Sequence, residues 1–225
     1  MVTACWSLKG GSGTTVFSAA VALSLARRRG GGGSVLLVDL AGDLPTALGI
    51  SDPSGPGVAE WSAAAGSVPP DAIGRLEVPV VPGLDLLPRG VGPLDPSSAS
   101  LLIQVLAASR RPVVVDCGTL LRPGWQSPER SLAEQLAAEA SRSLLVTRAC
   151  YMSLRRVAWV PLHPSGVVVV RDQDRALSDD DVAAVVGAPV VASIAVDPAV
   201  ARAVDSGMLA TRLPRRFAGV VGAVA

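Results

Sequence analysis

The chain has 225 residues, a length that fits one α/β domain, and residues 1–225 are predicted to form a single domain. Its content of 49% hydrophobic and 17% charged residues excludes a disordered protein. The net charge of +1 gives no broad positive field, so DNA is not an expected partner. The apolar runs are too short to span a bilayer and no export signal is present, which favours the cytoplasm.

Short runs rich in Val and Leu alternate with longer Ala-, Leu- and Arg-rich stretches at helical spacing, which predicts βα units and a mostly parallel sheet with helices on both faces. The predicted strands are Val2–Leu8, Ser34–Asp39, Leu84–Leu87, Pro112–Asp116, Ser143–Thr147, Gly166–Val170 and Pro189–Ser193. The predicted helices are Thr14–Arg29, Pro96–Ser109, Pro128–Ala140, Ser153–Val160, Ser178–Val186 and Asp197–Ser206, with shorter ones near Val58–Ala65 and Pro70–Leu76.

Aromatic residues are few, and their surroundings in the sequence suggest different roles. Trp6 lies inside the first predicted strand and is expected in the core, and Tyr151 and Trp159 are expected to pack on helices. Trp61 and Trp125 lie in Gly- and Pro-rich stretches, which suggests an exposed contact surface.

The first predicted strand and helix are joined by a glycine-rich loop. A loop of this kind points successive backbone N–H groups into one concavity beside the positive end of the helix, which predicts a cradle for phosphate. The alternative is a turn that needs glycine for its backbone alone. An ordinary P-loop ends in Gly-Lys-Ser/Thr, whose lysine reaches the phosphates and whose hydroxyl binds magnesium. The cradle residues are Gly10, Gly11, Ser12, Gly13, Thr14 and Thr15, so that a threonine replaces the usual lysine and a second threonine keeps the hydroxyl.

Lysine is nearly absent from the chain, which has 20 Lys plus Arg but only one lysine, Lys9. That residue stands at the start of the loop, and the arrangement resembles the deviant Walker A loop, K-G-G-x-G-K-T, of the ParA/MinD superfamily. The resemblance implies a three-layer P-loop NTPase fold, and it implies that Lys9 reaches the phosphates of a partner chain in a nucleotide-sandwich dimer. In the replacement of its second lysine, the loop resembles those of the CpaE/TadZ branch, which includes the septum-site-determining-like proteins.

Two further strands resemble the magnesium-binding motifs of that superfamily. Asp39 matches the first aspartate of the family's Asp-x-Asp switch, and Asp116 matches its Walker B aspartate. Together with Thr15 they would bind magnesium if nucleotide binds. Ala41 replaces the second switch aspartate, which positions the attacking water, and Asp43 is an alternative group that could approach the site. A strand-ending aspartate can also merely cap the following turn.

The nucleotide base is less clearly specified. Asp197 and Pro198 belong to a segment that resembles the one with which the superfamily closes over adenine. Relatives often read adenine with an Asn-Arg or Asn-Lys pair after the preceding strand, but this chain has Arg171 and Asp172 there and contains no asparagine. Base identity is therefore left open, with acceptance of guanine by Asp172 as one alternative.

The resemblance implies a degenerate ParA/MinD-like protein that positions a pilus, pole, septum or partition machinery through dimerisation or polymerisation. ATP with magnesium is the expected ligand, bound with weakened affinity and hydrolysed very slowly or not at all. Lys9 and Asp39 are the candidates for any catalytic role. A slow ATPase switch with Lys9 acting in trans, and a nucleotide-independent assembly module, remain as alternatives. Protein partners are expected at the pole, septum or inner membrane face.

The residues after Pro214 resemble the C-terminal membrane helix of MinD-type proteins. This tail is short and carries two glycines and one aromatic residue, so a packed or frayed end is expected rather than a membrane contact.

Overall fold

The computed structural model describes residues 1–30, 32–120, 131–173 and 175–224. Its strands are β1 (Val2–Ser7), β2 (Val35–Asp39), β3 (Val78–Val81), β4 (Leu84–Leu87), β5 (Val113–Thr119), β6 (Arg142–Arg148), β7 (Gly166–Arg171) and β8 (Val190–Ala195). They form one sheet in the order β3-β4-β2-β5-β1-β6-β7-β8, in which only the β3–β4 pair is antiparallel. The prediction of a mostly parallel α/β sheet is therefore confirmed.

Helices cover both faces of this sheet. The α-helices are α1 (Thr14–Arg29), α2 (Leu44–Leu48), α3 (Val58–Ala63), α4 (Ala99–Ala107), α5 (Leu132–Glu139), α6 (Tyr151–Leu154), α7 (Asp179–Val186), α8 (Pro198–Asp205) and α9 (Arg215–Val224). The 3-10 turns are Pro70–Leu76, Pro96–Ser98 and Val157–Trp159. Two separate hydrophobic clusters form, one on each side of the sheet, which is the three-layer arrangement expected from the sequence.

Local sequence determines the helix that carries the glycine-rich loop. Helix α1 begins after Gly13 and ends before Gly30, and both glycines have positive φ. Arginines 27, 28 and 29 occupy its last turn, where their charge complements the negative end of the helix dipole. Strand β1 is buried along its whole length, as expected for a central parallel strand between two helical layers. The loop is thus anchored at both ends.

Several sequence-based predictions differ from the structure. Strand β3 and helices α2 and α9 were not predicted, and the predicted helix Ser153–Val160 is a short helix followed by a 3-10 turn. Trp61 is buried with 3% exposure, whereas Tyr151 is 71% exposed, so both of those predictions are wrong. The start of the predicted helix at Pro128, and Trp125, lie outside the described residues.

The C-terminal helix α9 packs on the body of the protein. Phe217, Val221 and Val224 are buried in the same hydrophobic cluster as α1, and the Arg28 guanidinium donates to the Gly222 carbonyl at 2.7 Å. The buried apolar side chains of α9 therefore pack against α1 and β8. Among the described helices, none is long and apolar enough to cross a membrane.

Candidate functional site

The glycine-rich loop makes a tight turn that leads into α1. Gly11 and Gly13 adopt φ of 75° and 90°, values that L side chains rarely tolerate. The Ser12 hydroxyl donates to the Lys9 carbonyl at 2.7 Å, and the Phe17 N–H donates to the Gly13 carbonyl at 2.9 Å. These bonds hold the loop in a closed turn at the helix N-terminus.

A cleft of about 800 Å³ opens beside this loop, at the carboxyl ends of β1, β2 and β5. Each of the six predicted cradle residues, from Gly10 to Thr15, lines it. Further walls come from residues 40, 41, 43 and 117–120 and from the start of α5. Its volume lies within the range of about 300–1,000 Å³ that is usual for small-molecule sites. The carboxyl edge of a parallel sheet is where ligands bind in α/β folds.

Asp39 ends β2 beside the cleft, and its carboxylate is used by its own turn. Oδ1 accepts the N–H groups of Ala41 at 3.0 Å and Gly42 at 2.6 Å, and Oδ2 accepts the N–H of Leu44 at 3.1 Å. Burial raises the pKa of Asp39, and these three hydrogen bonds oppose that shift. The geometry is that of the turn-capping alternative considered from the sequence.

Asp116 lies next to Asp39 in the register of β2 and β5 and is also fully buried. Its Oδ1 accepts the Gly118 N–H at 3.1 Å, but Oδ2 is buried with no hydrogen-bond partner among the described residues. Burial raises the pKa of Asp116 to about 7; the Thr15 hydroxyl opposes the shift and the negative charge of Asp39 adds to it. A buried carboxylate oxygen without a donor, near a threonine hydroxyl, fits a hydrated magnesium ion.

The two turns that follow these aspartates touch each other. Gly118 has φ of 64°, and a Cβ built there would lie 2.9 Å from the Ala41 methyl group. Ala41 and Asp43 both line the cleft. Asp43 thus reaches the cleft as the sequence suggested, whereas the Ala41 side chain has no group that could orient water.

Lys9 stands at the loop but is not among the residues that line the cleft. Its charge acts instead on Cys150: burial raises the pKa of that thiol, but hydrogen bonds with Ser153 and the positive charges of Arg175 and Lys9 lower it overall.

The residues expected to surround the base do not line this cleft. Asp197 caps α8 by accepting the Ala199 N–H at 2.8 Å, and with Pro198 it lines a separate cavity of about 320 Å³. Asp172 pairs with Arg148 and Arg175, which lowers the pKa of Asp172. Its carboxylate is thus engaged by two guanidinium groups.

Sequence reasoning missed three arginines around the loop. Arg148 Nε donates to the Gly11 carbonyl at 3.1 Å, and Arg156 Nη1 donates to the Leu8 carbonyl at 2.9 Å, so both hold the loop backbone. Arg89 lines the cleft itself. Arg148 ends β6 and Arg89 follows β4 closely, so a basic residue just after a parallel strand was the available signal.

Solved structures of ParA family ATPases and of MinD share this fold. A ParA family ATPase from Chlorobium tepidum TLS is 21% identical, with a TM-score of 0.79 over 100% of this chain and 97% of that one. The septum site-determining protein MinD from Pyrococcus horikoshii OT3, complexed with Mg-ADP, is 18% identical, with a TM-score of 0.74 over 100% and 94%. A chain of the MinC:MinD cell division protein complex of Aquifex aeolicus is 21% identical, with a TM-score of 0.74 over 99% and 93%.

No protein-family model and no curated protein matches the chain. The structural likeness confirms the prediction of a ParA/MinD-like P-loop fold. Because the identities are low, the likeness establishes the fold, and function has to be argued from the site.

Proposed function

We propose that this chain is a degenerate member of the ParA/MinD superfamily, of the CpaE/TadZ kind, which acts as a spatial-positioning or scaffold protein. The observation that carries the proposal is a phosphate cradle, Gly10–Thr15, that lines a cleft with Thr14 in the lysine position and Lys9 outside. The protein self-associates and recruits protein partners of a pilus, pole, septum or partition machinery. Its place is the cytoplasm, at the pole, septum or inner membrane face.

ATP with magnesium is the ligand that we propose for the cleft. The N–H groups of the loop bind the phosphates, and Thr15 and Asp116 bind the metal, while Asp39 holds the adjoining turn. Bound magnesium neutralises charge on the phosphates. The missing loop lysine removes a charge-assisted contact, which lowers affinity by one or two powers of ten. Asp197 and Pro198 line another cavity, so base identity stays open.

Hydrolysis is proposed to be very slow or absent. Phosphoryl transfer depends on a positioned water molecule and on charge stabilisation, and the Ala41 methyl group provides neither. The Asp39 carboxylate accepts three backbone N–H groups and is thereby fixed in its own turn. Nucleotide binding without rapid hydrolysis suits a protein that acts by assembling with other protein chains.

Self-association is proposed to depend on Lys9. Because Lys9 does not line the cleft of its own chain, its ammonium is available to contact phosphates held by a second copy. The MinC:MinD complex is a cell division assembly with this fold, which supports protein partners in general.

The test is the oligomer mass of the purified protein with ATP, with ADP and with neither, for the wild type, Lys9→Ala and Arg110→Ala. Arg110 is an exposed residue in the turn before β5, on the side of the amino ends of the parallel strands and so away from the loop, and its variant is a matched control for loss of one positive charge. We expect ATP to increase the mass of the wild type and of Arg110→Ala but not of Lys9→Ala. A mass indifferent to nucleotide in all three proteins would favour the nucleotide-independent assembly module.

Turnover measured in the same samples separates the scaffold from the slow switch. We expect ATP hydrolysis far below about 1 per second, the lower end of common enzyme rates. A rate near that value, lost in Asp116→Asn, would contradict the proposal and favour an active ATPase with Lys9 acting in trans.

A further inference from the structure

Arg89 is the one positively charged residue among the described residues that line the cleft. Among the described residues that line it, the charged ones are Asp43 and Arg89. The cradle itself contributes only glycine, serine and threonine, because Thr14 replaces the P-loop lysine. The positive charge that a phosphate ligand needs must therefore come from another element. Arg89 follows β4, which is separated by β2 from β5, the strand next to β1.

The Arg89 side chain is directed by close packing and by its own loop. Nη1 donates to the carbonyls of Gly90 at 3.3 Å and Gly92 at 3.0 Å. Its Cδ lies 3.3 Å from where a Cβ would stand on Gly42, in the turn after Asp39. The side chain thus lies against one wall of the cleft.

The loop that carries Arg89 is itself fixed. The first N–H groups of α3 donate to it, Val58 to the Pro88 carbonyl at 2.9 Å and Ala59 to the Arg89 carbonyl at 2.8 Å. On the other side, Glu60 accepts the N–H groups of Val91 at 2.9 Å and Gly92 at 3.2 Å. A guanidinium on a fixed loop loses little conformational freedom when it binds an anion.

Arg89 has no carboxylate partner among the described residues. Toward the described part of the chain its hydrogen bonds use Nη1 alone, which leaves Nε and Nη2 available there as donors. Arginine presents these donors in a planar fork that matches phosphate oxygens. An ion-paired arginine, such as Arg148 beside Asp172, would have to break its ion pair before it could bind a phosphate.

We propose that Arg89 binds the outer phosphates of a nucleotide in the cleft and supplies charge that the cradle lost with its lysine. The proposal rests on the proposed nucleotide function and extends it, since it assigns phosphate recognition to a residue outside the loop. Arg89 then selects ligands by the number of their phosphates. The alternative is that Arg89 only orders the loop of residues 90–92.

The experiment measures dissociation constants for ATP, ADP and AMP with magnesium by calorimetry, for the wild type, Arg89→Met, Arg89→Lys and Arg110→Met. Methionine keeps an unbranched side chain without charge, and Arg110→Met is the control for charge loss elsewhere. We expect Arg89→Met to weaken ATP binding by about tenfold or more, since a charge-assisted contact is lost, and to leave AMP binding little changed. Arg89→Lys should lie between Arg89→Met and the wild type, and Arg110→Met should bind like the wild type.

A double variant separates charge from loop order. Thr14→Lys returns a lysine to the cradle, and in the Arg89→Met background it should restore most of the lost ATP affinity if charge is what Arg89 supplies. Equal weakening of ATP and AMP, with a lower melting temperature of the ligand-free protein and no rescue by Thr14→Lys, would overturn the proposal in favour of the loop-ordering role. Unchanged ATP binding in Arg89→Met would also overturn it while leaving the proposed function intact. Failure of the wild type to bind any of the three nucleotides would instead defeat the proposed function itself, and the Arg89 role with it.

Discussion

Asp39 and Asp116 occupy matching places in the fold but have different surroundings. Asp39 ends β2, Asp116 lies within the buried part of β5, and the two face each other in the register of these strands. Asp39 accepts three N–H groups from the turn that follows it. Asp116 accepts one, and its second oxygen has no partner among the described residues. Two aspartates that look alike in the sequence thus differ in whether a carboxylate oxygen remains available to bind a ligand.

The difference separates a carboxylate that shapes the site from one that can hold a ligand. Burial raises the pKa of both, but hydrogen bonds compensate Asp39 more fully, and the pKa of Asp116 reaches about 7. A buried charge without a partner costs free energy unless an ion or a proton joins it. We therefore expect substitutions at the two positions to have opposite effects on the stability of the ligand-free protein.

The largest effect is expected for Asp39→Ala. The change leaves three backbone N–H groups without an acceptor, that of Leu44 being buried, so the free energy of unfolding should fall by roughly 2–4 kcal/mol. Urea denaturation measures it. Asp43→Ala is the control, because the exposed Asp43 makes no side-chain cap at α2 and its loss should cost little. Equal losses in the two variants would show that the Asp39 turn contributes no special stability.

A smaller effect of opposite sign is expected for Asp116→Asn. At pH 8 the wild type buries a charge beside Asp39, and the neutral amide removes it while keeping an acceptor for Gly118. The ligand-free variant should be more stable by about 1–2 kcal/mol. Magnesium with ATP should then stabilise the wild type but not the variant, as measured by melting temperature. A destabilised variant that still responds to magnesium would remove the distinction between the two aspartates.

The sequence was sufficient where structure is determined locally. The strand, glycine loop and helix that form the cradle follow from residues adjacent in the chain, and α1 begins and ends as predicted. The roles of Asp39 and Asp116 could not be separated, because they depend on which N–H groups each carboxylate meets after folding. Arg89 was missed for a similar reason: it reaches the cleft only because β4 and β2 are neighbours in the sheet.

Edge position and burial also escaped the sequence pattern. Strand β3 contains Pro79 and pairs only with β4, so it lacks the apolar run that marks a central strand. Trp61 follows a Gly- and Pro-rich stretch, but α3 carries it into the core. The Gly- and Pro-rich composition therefore indicated the loop before α3 correctly, but it gave the wrong exposure for the Trp61 side chain.

The smallest effect is expected for Glu60→Gln, which extends the comparison to a third carboxylate. Glu60 resembles Asp39, since it accepts the N–H groups of Gly57, Val91 and Gly92. These bonds lower its pKa from 4.5 to about 2. Because a lowered carboxyl pKa stabilises the folded state above the unfolded pKa, this stability is present at pH 7 and is lost as the pH falls from 4.5 towards 2.

At pH 7 the glutamine variant should lose about 1 kcal/mol, because one carboxylate acceptor is replaced by an amide donor at a partly exposed site. Urea denaturation at several pH values should show the difference from the wild type shrinking below pH 4.5. Glu139→Gln makes the same chemical change at the exposed end of α5 and should show no such trend. If the Glu60→Gln difference stays constant with pH, the lost stability comes from side-chain packing. The charge of Glu60 would then play no part in holding the loop that carries Arg89.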